Sequence, residues 1–578
     1  MNRTHNCGEL SIKNKGEEVI LQGWVKKVRN IGQVAFIDLK DMYGVTQILV
    51  TDYKKDLLSD LKSEYVIKII GTVIERKSKN LNLSTGEIEI ELKDLEIINK
   101  SEITPFLIED EVQVNEDTRM SYRYLDLRRP VIQKNIILRS TVNKTIRNEF
   151  DNLGFIEVET PIFGKSTPEG ARDFLVPSRL NPNNFYALPQ SPQLYKQLLM
   201  ISGFDKYYQI ARCFRDEDLR IDRQPEFSQL DMEMSFSSAS QVQEIIEKVV
   251  KKVIKNTVNV DINEAFLKMT YKEAIDVYGV DKPDLRFNLH LKTLTEIFKS
   301  TNIHFFSNIK SIDSIRGIMV ESLLSKKDLE ILNEAANQKG FKSLAFIKHD
   351  NGNWSGSLAS SLSDQEKEEL IKVFEIKDQA TILLNFGKYQ KVSEMLGVVR
   401  NKAAEILGLT NKNDYKFLWV IDFPLFEWSE EEQKFVAAHN PFTMPHSSSI
   451  ENFESDKQNA IADSYDLVLN GFELGSGSVR ITNSEVQTRM FEAVGLDQKT
   501  IDNNFGWFIN AYKYGAPIHA GFGLGIDRLT MILAHADSIR DVIAFPKNSK
   551  AHDLMNHAPG NVSQQQLDEL YLKLIQKK

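Results

Sequence analysis

With 578 residues, 42% of them hydrophobic, the chain can bury several cores, about three or four domains by its length. Two cysteines, Cys7 and Cys213, exclude a disulfide framework and a multi-cysteine zinc site, and a net charge of −9 from 72 basic and 81 acidic residues excludes a uniformly basic coat for nucleic acid. No apolar run approaches the roughly 18 residues of a membrane span, and Met1–Asn14 lacks the apolar centre of a signal peptide, so a cytoplasmic location is expected.

Residues 1–105 read as five strands, Val19–Val28, Val34–Leu39, Val45–Val50, Tyr65–Ile74 and Glu87–Ile98, with a short helical piece at Lys55–Lys62. Five strands with a helix between the third and fourth give the order of an OB-fold barrel, which binds single-stranded nucleic acid through stacking aromatics and a basic groove. Phe36, Lys27, Arg29 and Arg76 suit that surface, whereas Trp24 is expected in the barrel core. Lys26, Lys27 and Arg29 form one basic cluster and Arg119, Arg123, Arg128 and Arg129 another, each of which reads by itself as a solvated face. Residues 106–130, charged and bounded by Pro105 and Pro130, suggest a hinge rather than a packed element.

From there the period becomes helical. Val142, Ile146 and Phe150 mark one face of a helix over Leu138–Leu153, stopped by Gly154, and a strand Phe155–Thr160 ends at Pro161. A strand Tyr207–Phe214 leads out to Arg215 and Glu217. In Glu226–Phe236 the residues Gln229, Asp231, Glu233 and Ser235 alternate with Leu230, Met232, Met234 and Phe236, the pattern of a half-buried antiparallel strand. Its acidic face is a floor for a polar ligand or part of a structural salt-bridge network. Residues 287–413, with a capping box at Ser363 and Glu366, read as an inserted domain between 131–286 and 414–545, and 546–578 as an extension packed on the core.

In Tyr465–Ile481 the Asn470-Gly471 pair signals a type I′ hairpin. That register sets Val468 opposite Glu473 with Asp466 on the same face, so two carboxylates share a surface. Either exposed counter-ions or a Mg²⁺ shared with phosphate oxygens can offset their repulsion, and the cation is the stronger expectation. Gly475-Ser476-Gly477 can bulge and re-aim Arg480 towards the same cavity. Three glycines in Gly521–Arg528 precede a helix, Arg528–Ala536, that Asp527 could cap. No Walker A sequence occurs, and the His-Ile-Gly-His and Lys-Met-Ser-Lys-Ser signatures of class I synthetases are absent.

Phe214-Arg215-Asp216-Glu217 with Arg223-Gln224-Pro225-Glu226-Phe227, and Gly521–Arg528 downstream, resemble motifs 2 and 3 of class II aminoacyl-tRNA synthetases; the helix and strand ending at Pro161 resemble motif 1. With Tyr122–Arg129, Thr167–Asp173 and Gln190–Lys196, nearly the whole chain is similar to the bacterial-type aspartyl-tRNA synthetases. The resemblance implies an α+β multidomain fold with an N-terminal OB-fold barrel, a class II catalytic domain of antiparallel sheet and flanking helices, and an inserted α+β domain. It implies a homodimer that joins L-aspartate to tRNA(Asp) at the cost of ATP, and leaves tRNA(Asn) open as a second acceptor. Glu169, Gln193, Lys196, Arg215, Asp231, His439 and Arg480 would bind aspartate. Arg215, Glu217, Gln224, Phe227, Glu473, Gly525, Ile526, Asp527 and Arg528 would bind ATP, with Asp466 and Glu473 on Mg²⁺. Arg215, Glu473 and Arg528 would be catalytic, and Arg29, Phe36, Gln47, Arg76 and Glu89 would read the anticodon. The family often has two histidines before Pro-Phe-Thr, where this chain has His439-Asn440. An asparagine or lysine synthetase and a non-catalytic tRNA-binding paralogue are the rival readings.

Overall fold

The computed structural model describes all residues except 1–2, 33, 52–57, 59, 168–170, 307–308, 311–312, 431 and 576–578. Half of the helical piece expected at Lys55–Lys62, and Glu169, lie outside the described residues. The chain divides into two units, Met1–Lys134 with Leu554–Asn556, and Asn135–Asp553 with His557–Lys578.

In the first unit, β1 (Glu18–Ile31), β2 (Val34–Lys40), β3 (Val45–Thr51), β4 (Val66–Glu75) and β5 (Ile88–Asn99) close into a barrel of order β1-β2-β3-β5-β4. Alternate residues such as Val19, Leu21, Ile37, Ile48 and Ile69 fill its interior, as a period of two requires. Trp24 is a correction: it lies on the opposite face of β1 from Val25, half-buried, with the Arg128 guanidinium 5.0 Å above its ring. Residues 106–130 are also packed rather than hinge-like. They form α1 (Glu116–Ser121) and α2 (Arg123–Asp126), with Phe106, Ile108 and Leu125 in a small apolar cluster. Arg123 and Arg129 are buried, not solvated: Asp126 accepts from them at 2.5 and 2.8 Å.

The second unit opens within α3 (Pro130–Asn152), whose Val142, Ile146 and Phe150 face inward as their spacing predicts. There follow β6 (Ile156–Glu157), β7 (Leu175–Pro177), β8 (Phe185–Ala187), α4 (Gln193–Ile201), β9 (Lys206–Phe214), β10 (Glu226–Ser235), α5 (Ala239–Val258), β11 (Leu267–Thr270) and α6 (Tyr271–Tyr278). Next come β12 (Lys292–Thr293), β13 (Asp313–Val320), α7 (Lys326–Asn337), β14 (Ala345–Asp350), β15 (Asn353–Gly356), α8 (Asp364–Phe374), β16 (Gln379–Lys388) and α9 (Tyr389–Ile406). These strands build a separate sheet, β12-β13-β16-β14-β15, and the box of Ser363 and Glu366 caps α8. The chain then returns through β17 (Phe417–Ile421), β18 (Phe426–Ser429), β19 (Lys434–Ala437), β20 (Ser464–Leu469), β21 (Phe472–Val479), α10 (Ser484–Ala493), α11 (Gln498–Tyr512), β22 (His519–Gly525), α12 (Ile526–Leu533) and α13 (Gln564–Glu569).

An eight-stranded sheet of order β11-β17-β20-β21-β22-β10-β9-β6 carries the site. One face packs Leu230, Met232, Phe522 and Leu524 against Val142 of α3, Ile246 and Val250 of α5, and Leu529 of α12. On the other face, the register aligns Gln209, Asp231, Gly523, Ser476 and Asp466 in one row across five strands. The neighbouring row holds Glu233, Gly521 and Ser478. β10 is therefore buried on both faces over its second half, more deeply than its alternation suggests, because α4 and the Arg480 side chain cover the polar face.

Candidate active site

Two cations and two anions meet on that polar face. Gln193, Lys196 and Gln197 lie on the buried side of α4, at the i, i+3, i+4 positions that share one helical face. Lys196 Nζ stands 3.1 Å from Asp231 Oδ1 and 3.4 Å from Glu233 Oε2. Arg480, just beyond β21, clamps Glu233 with Nε at 2.8 Å and Nη2 at 3.2 Å, and its Nη1 donates to Ser478 Oγ at 2.6 Å. All four charged side chains are at most 3% exposed, so each depends on the others for its charge. Burial alone would raise the Glu233 carboxyl, but the Arg480 and Lys196 charges outweigh it and hold it below the usual carboxylate range.

Gly521 makes this possible. A Cβ there would lie 1.8 Å from Glu233 Oε2, so the bare backbone of β22 is the gap across which Glu233 reaches Arg480. The space that Gly521 opens is filled by a carboxylate of the protein.

Two buried atoms of this cluster have no partner among the described residues: Asp231 Oδ2, an acceptor, and Gln193 Nε2, a donor. A buried acceptor and donor left open beside Lys196 and Arg480 are the complement of an ammonium and a carboxylate. The structure therefore supports both options for the β10 acids: they form ion pairs and they keep one atom free for a ligand.

Beside them, His439 is half-buried after β19. Its Nε2 lies 2.5 Å from Ser476 Oγ and its Nδ1 2.5 Å from Asn440 Nδ2, while Ser476 Oγ donates to Asp466 Oδ1. Burial, with the Arg480, Lys196 and Arg215 charges added, holds the imidazole down to about 3, so it is neutral at physiological pH.

The hairpin turns at Asn470-Gly471, both with positive φ (52° and 86°), as a type I′ turn needs. Val468 does oppose Glu473, but the bulge falls at Leu474 rather than in Gly475-Ser476-Gly477, and sets Asp466 opposite Ser476. Burial, then Glu473, drive the Asp466 carboxyl well above its ordinary value. A carboxyl under that like-charge strain fits a divalent cation, whose charge would relieve both terms. Among the described residues no group of three or more acidic, histidine or cysteine side chains forms a metal cage, so substrate oxygens or water would complete the shell.

The remaining expected residues lie between β9 and β10, at the start of β10 and at the start of α12. Arg215 follows β9 with its guanidinium 5.0 Å from the centre of the Phe227 ring. Glu217 pairs with Arg223 at 3.1 Å. Arg528 donates to the Glu473 carbonyl and pairs with Asp222 at 3.1 Å, and its buried Nε has no partner among the described residues. Gln224 is buried, and both ends of its amide bond the Lys547 main chain, at 2.9 and 2.8 Å. Asp527 does not cap the helix: α12 starts from Gly525 without a side-chain cap, while Asp527 accepts from Ser228 N at 2.9 Å and from Arg139. The helix begins at Ile526, two residues before its expected start.

In the barrel, Arg29, Phe36, Gln47, Arg76 and Glu89 come together. Arg29 bonds Asp38 at 2.7 Å and Gln47 at 3.1 Å, Arg76 bonds Gln47 at 2.8 Å, and Gln47 bonds Glu89 at 2.6 Å. The Arg29 guanidinium lies 5.7 Å from the centre of Phe36.

Residues 115–549 match the family described as tRNA synthetases class II (D, K and N), and residues 19–98 the OB-fold nucleic acid binding domain. The chain is 67% identical to the aspartate–tRNA ligase of Mesoplasma florum, which it matches over 100% of both chains. To the aspartate–tRNA(Asp/Asn) ligase of Caldanaerobacter subterraneus subsp. tengcongensis it is 45% identical over 99% of this chain and 98% of the other. The crystal structure of asparaginyl-tRNA synthetase from Pyrococcus horikoshii complexed with asparaginyl-adenylate matches at a TM-score of 0.58, covering 94% of this chain and 98% of that one; at 19% identity this likeness concerns the fold alone. Matched by a class II family over most of its length and by those ligases over nearly all of it, the chain belongs to the class II aminoacyl-tRNA synthetases, in the family of the bacterial-type aspartate–tRNA ligases.

Proposed function

We propose that the chain activates L-aspartate with ATP and transfers it to the 3′ end of tRNA(Asp). The observation that carries the substrate assignment is the buried Lys196–Asp231–Glu233–Arg480 cluster with its free acceptor on Asp231 and free donor on Gln193. Lys196 and Arg480 receive the side-chain carboxylate, the guanidinium through paired N–H bonds. Asp231, with Glu169, takes the ammonium. A lysine side chain would meet two like charges there, and an asparagine amide would leave them without an anion.

In the first step an α-carboxylate oxygen of aspartate attacks the α-phosphorus of ATP. The bond to the β-phosphate oxygen breaks, and pyrophosphate leaves with the electron pair. Arg215 supplies positive charge where negative charge develops on the α-phosphate, and Phe227 and Arg528 hold the base and the far phosphate. Asp466 and Glu473 would hold Mg²⁺, which when bound would neutralise phosphate charge. In the second step the 3′-hydroxyl of the terminal adenosine attacks the aspartyl carbonyl carbon, the bond to the phosphate oxygen breaks, and AMP leaves with that oxygen and its electron pair while a phosphate oxygen takes up the hydroxyl proton. Orientation and electrostatics carry both steps; no side chain acts as a covalent nucleophile.

The barrel binds the anticodon, with Phe36 stacking on a base and Arg29, Gln47, Arg76 and Glu89 reading edges, which suits a single-stranded loop. Two copies pair through α3 and β6, where Ile137 and Ile156 are exposed. The enzyme works in the cytoplasm, beside its tRNA. Among the described residues no helix is long and apolar enough to cross a membrane.

ATP–pyrophosphate exchange with aspartate, asparagine and lysine run in parallel tests this reading. Exchange with aspartate is expected; exchange driven by either rival and not by aspartate would overturn it.

A further inference from the structure

We propose that Asn440 and Ser476 are positioning residues that hold His439 as the neutral imidazole protonated on Nε2, within one directional chain of hydrogen bonds that ends on Asp466. The inference deepens the proposed function and rests on its assignment of His439 to the amino-acid pocket.

Polarity is set at one end by the backbone. The Phe442 N–H donates to Asn440 Oδ1 at 3.0 Å, and the Thr443 hydroxyl reaches the same oxygen at 3.3 Å. With its oxygen engaged, the amide turns its nitrogen, a donor only, towards His439 Nδ1 at 2.5 Å. Nδ1 must then accept, so the ring proton sits on Nε2 and donates to Ser476 Oγ at 2.5 Å. Ser476 gives its single proton to Asp466 Oδ1 and has lone pairs left for Nε2. Each link pairs one donor with one acceptor, and the opposite tautomer would set Nδ1–H against the Asn440 N–H₂. The neutral ring that this pattern needs is what the surrounding burial and cations enforce.

The sheet makes the chain possible, because Ser476 and Asp466 are register partners in the row that also holds Asp231. It therefore joins the two halves of the site: His439 lies beside the cations of the amino-acid pocket and Asp466 beside Glu473. A histidine at position 440 could offer Nδ1 either a donor or an acceptor. Asn440, pinned by Phe442, offers only a donor, which gives a physical meaning to the departure seen in the sequence.

The test uses the full ligand-free protein with ¹⁵N-labelled histidine, the His439→Gln variant assigning the signal. The unsubstituted chain is expected to show Nε2 protonated at neutral pH. Asn440→Asp keeps the acceptor for Phe442 but sets a second acceptor against Nδ1, and is expected to move the proton to Nδ1. In exchange kinetics, Ser476→Ala is expected to raise the KM for aspartate about tenfold, the scale of one lost hydrogen bond in a charged site, with Ser476→Thr restoring it. A proton on Nδ1 in the unsubstituted chain, an unchanged tautomer in Asn440→Asp, or an unchanged aspartate KM in Ser476→Ala would each overturn the proposal. Loss of aspartate-dependent exchange in the unsubstituted chain would sink the proposed function alone, with the spectra still deciding the tautomer.

Discussion

Arg480→Met separates the stability of the buried cluster from its use. The wild-type cluster balances two cations with two anions; the substitution leaves Lys196 to face both Asp231 and Glu233. Glu233 loses bonds of 2.8 and 3.2 Å and keeps only Lys196, 3.4 Å away. Charge centres about 4 Å apart attract by roughly 4 kcal/mol at the effective dielectric of a protein site, and breaking a buried pair from one side costs about 3–5 kcal/mol. Methionine fills most of the vacated volume, so little of that loss comes from a cavity. Adding Glu233→Gln removes the orphaned charge and returns the cluster to one cation and one anion. The double variant should therefore recover about 2 kcal/mol or more of the loss in urea unfolding. Neither variant should recover activity, because the guanidinium proposed to take the substrate carboxylate is gone: aspartate-dependent exchange should fall at least about a hundredfold, the worth of two charge-assisted bonds, while ATP still binds. A single variant within about 1 kcal/mol of wild type, or a double variant less stable than the single, would refute the account of the cluster.

Three further outcomes follow from the same geometry. His439 is held near 3 in the folded chain against 6.5 when unfolded, so between those values only the unfolded state takes up its proton; stability from this residue is complete above pH 6.5 and declines as pH falls towards 3. Urea midpoints measured across that range should fall less steeply in His439→Gln than in wild type, and parallel slopes would contradict the assigned environment. Glu473→Gln should weaken ATP binding in the presence of Mg²⁺ by about tenfold and leave binding without Mg²⁺ nearly unchanged, measured by calorimetry, since one proposed cation ligand is lost. Phe36→Ala should weaken tRNA binding by about 1–3 kcal/mol, the worth of one stacked base, with aspartate-dependent exchange unaltered; an equal loss of exchange would mean the barrel acts on chemistry and not on recognition alone.

The barrel was legible in the sequence because each strand carries a period of two and each turn its own signal, and the observed ends of β1 to β5 lie within three residues of those expected. The Asn470-Gly471 hairpin was legible for the same local reason. What failed was long-range. Nothing near Trp24 says that an arginine about a hundred residues later will cover it, so an aromatic in a strand reads as core. The arginines before α3 read as solvated because their partner, Asp126, looks like one more surface charge until it is enclosed. Glu233 was visible on the polar face of β10, yet its bond to Arg480 spans 247 residues and only the sheet register creates it. Ser476 and Asn440 stand in segments the sequence singled out, but with no role attached; the roles proposed for them come from which end of an amide the Phe442 N–H claims. Asp527 suited a cap by position, but Arg139 and the Ser228 N–H claim it first.

Gly521 has a consequence for how amino-acid choice can be lost. The strand that contains it meets the pocket only with bare backbone, yet one added methyl would push Glu233 off the guanidinium that it neutralises. Arg480 would then be an uncommitted cation, open to any anion that enters. Selectivity in this pocket is thus exposed to change at a residue with no side chain to contribute, and a saturation screen would score position 521 among the substrate-binding residues though no part of it needs to touch the substrate.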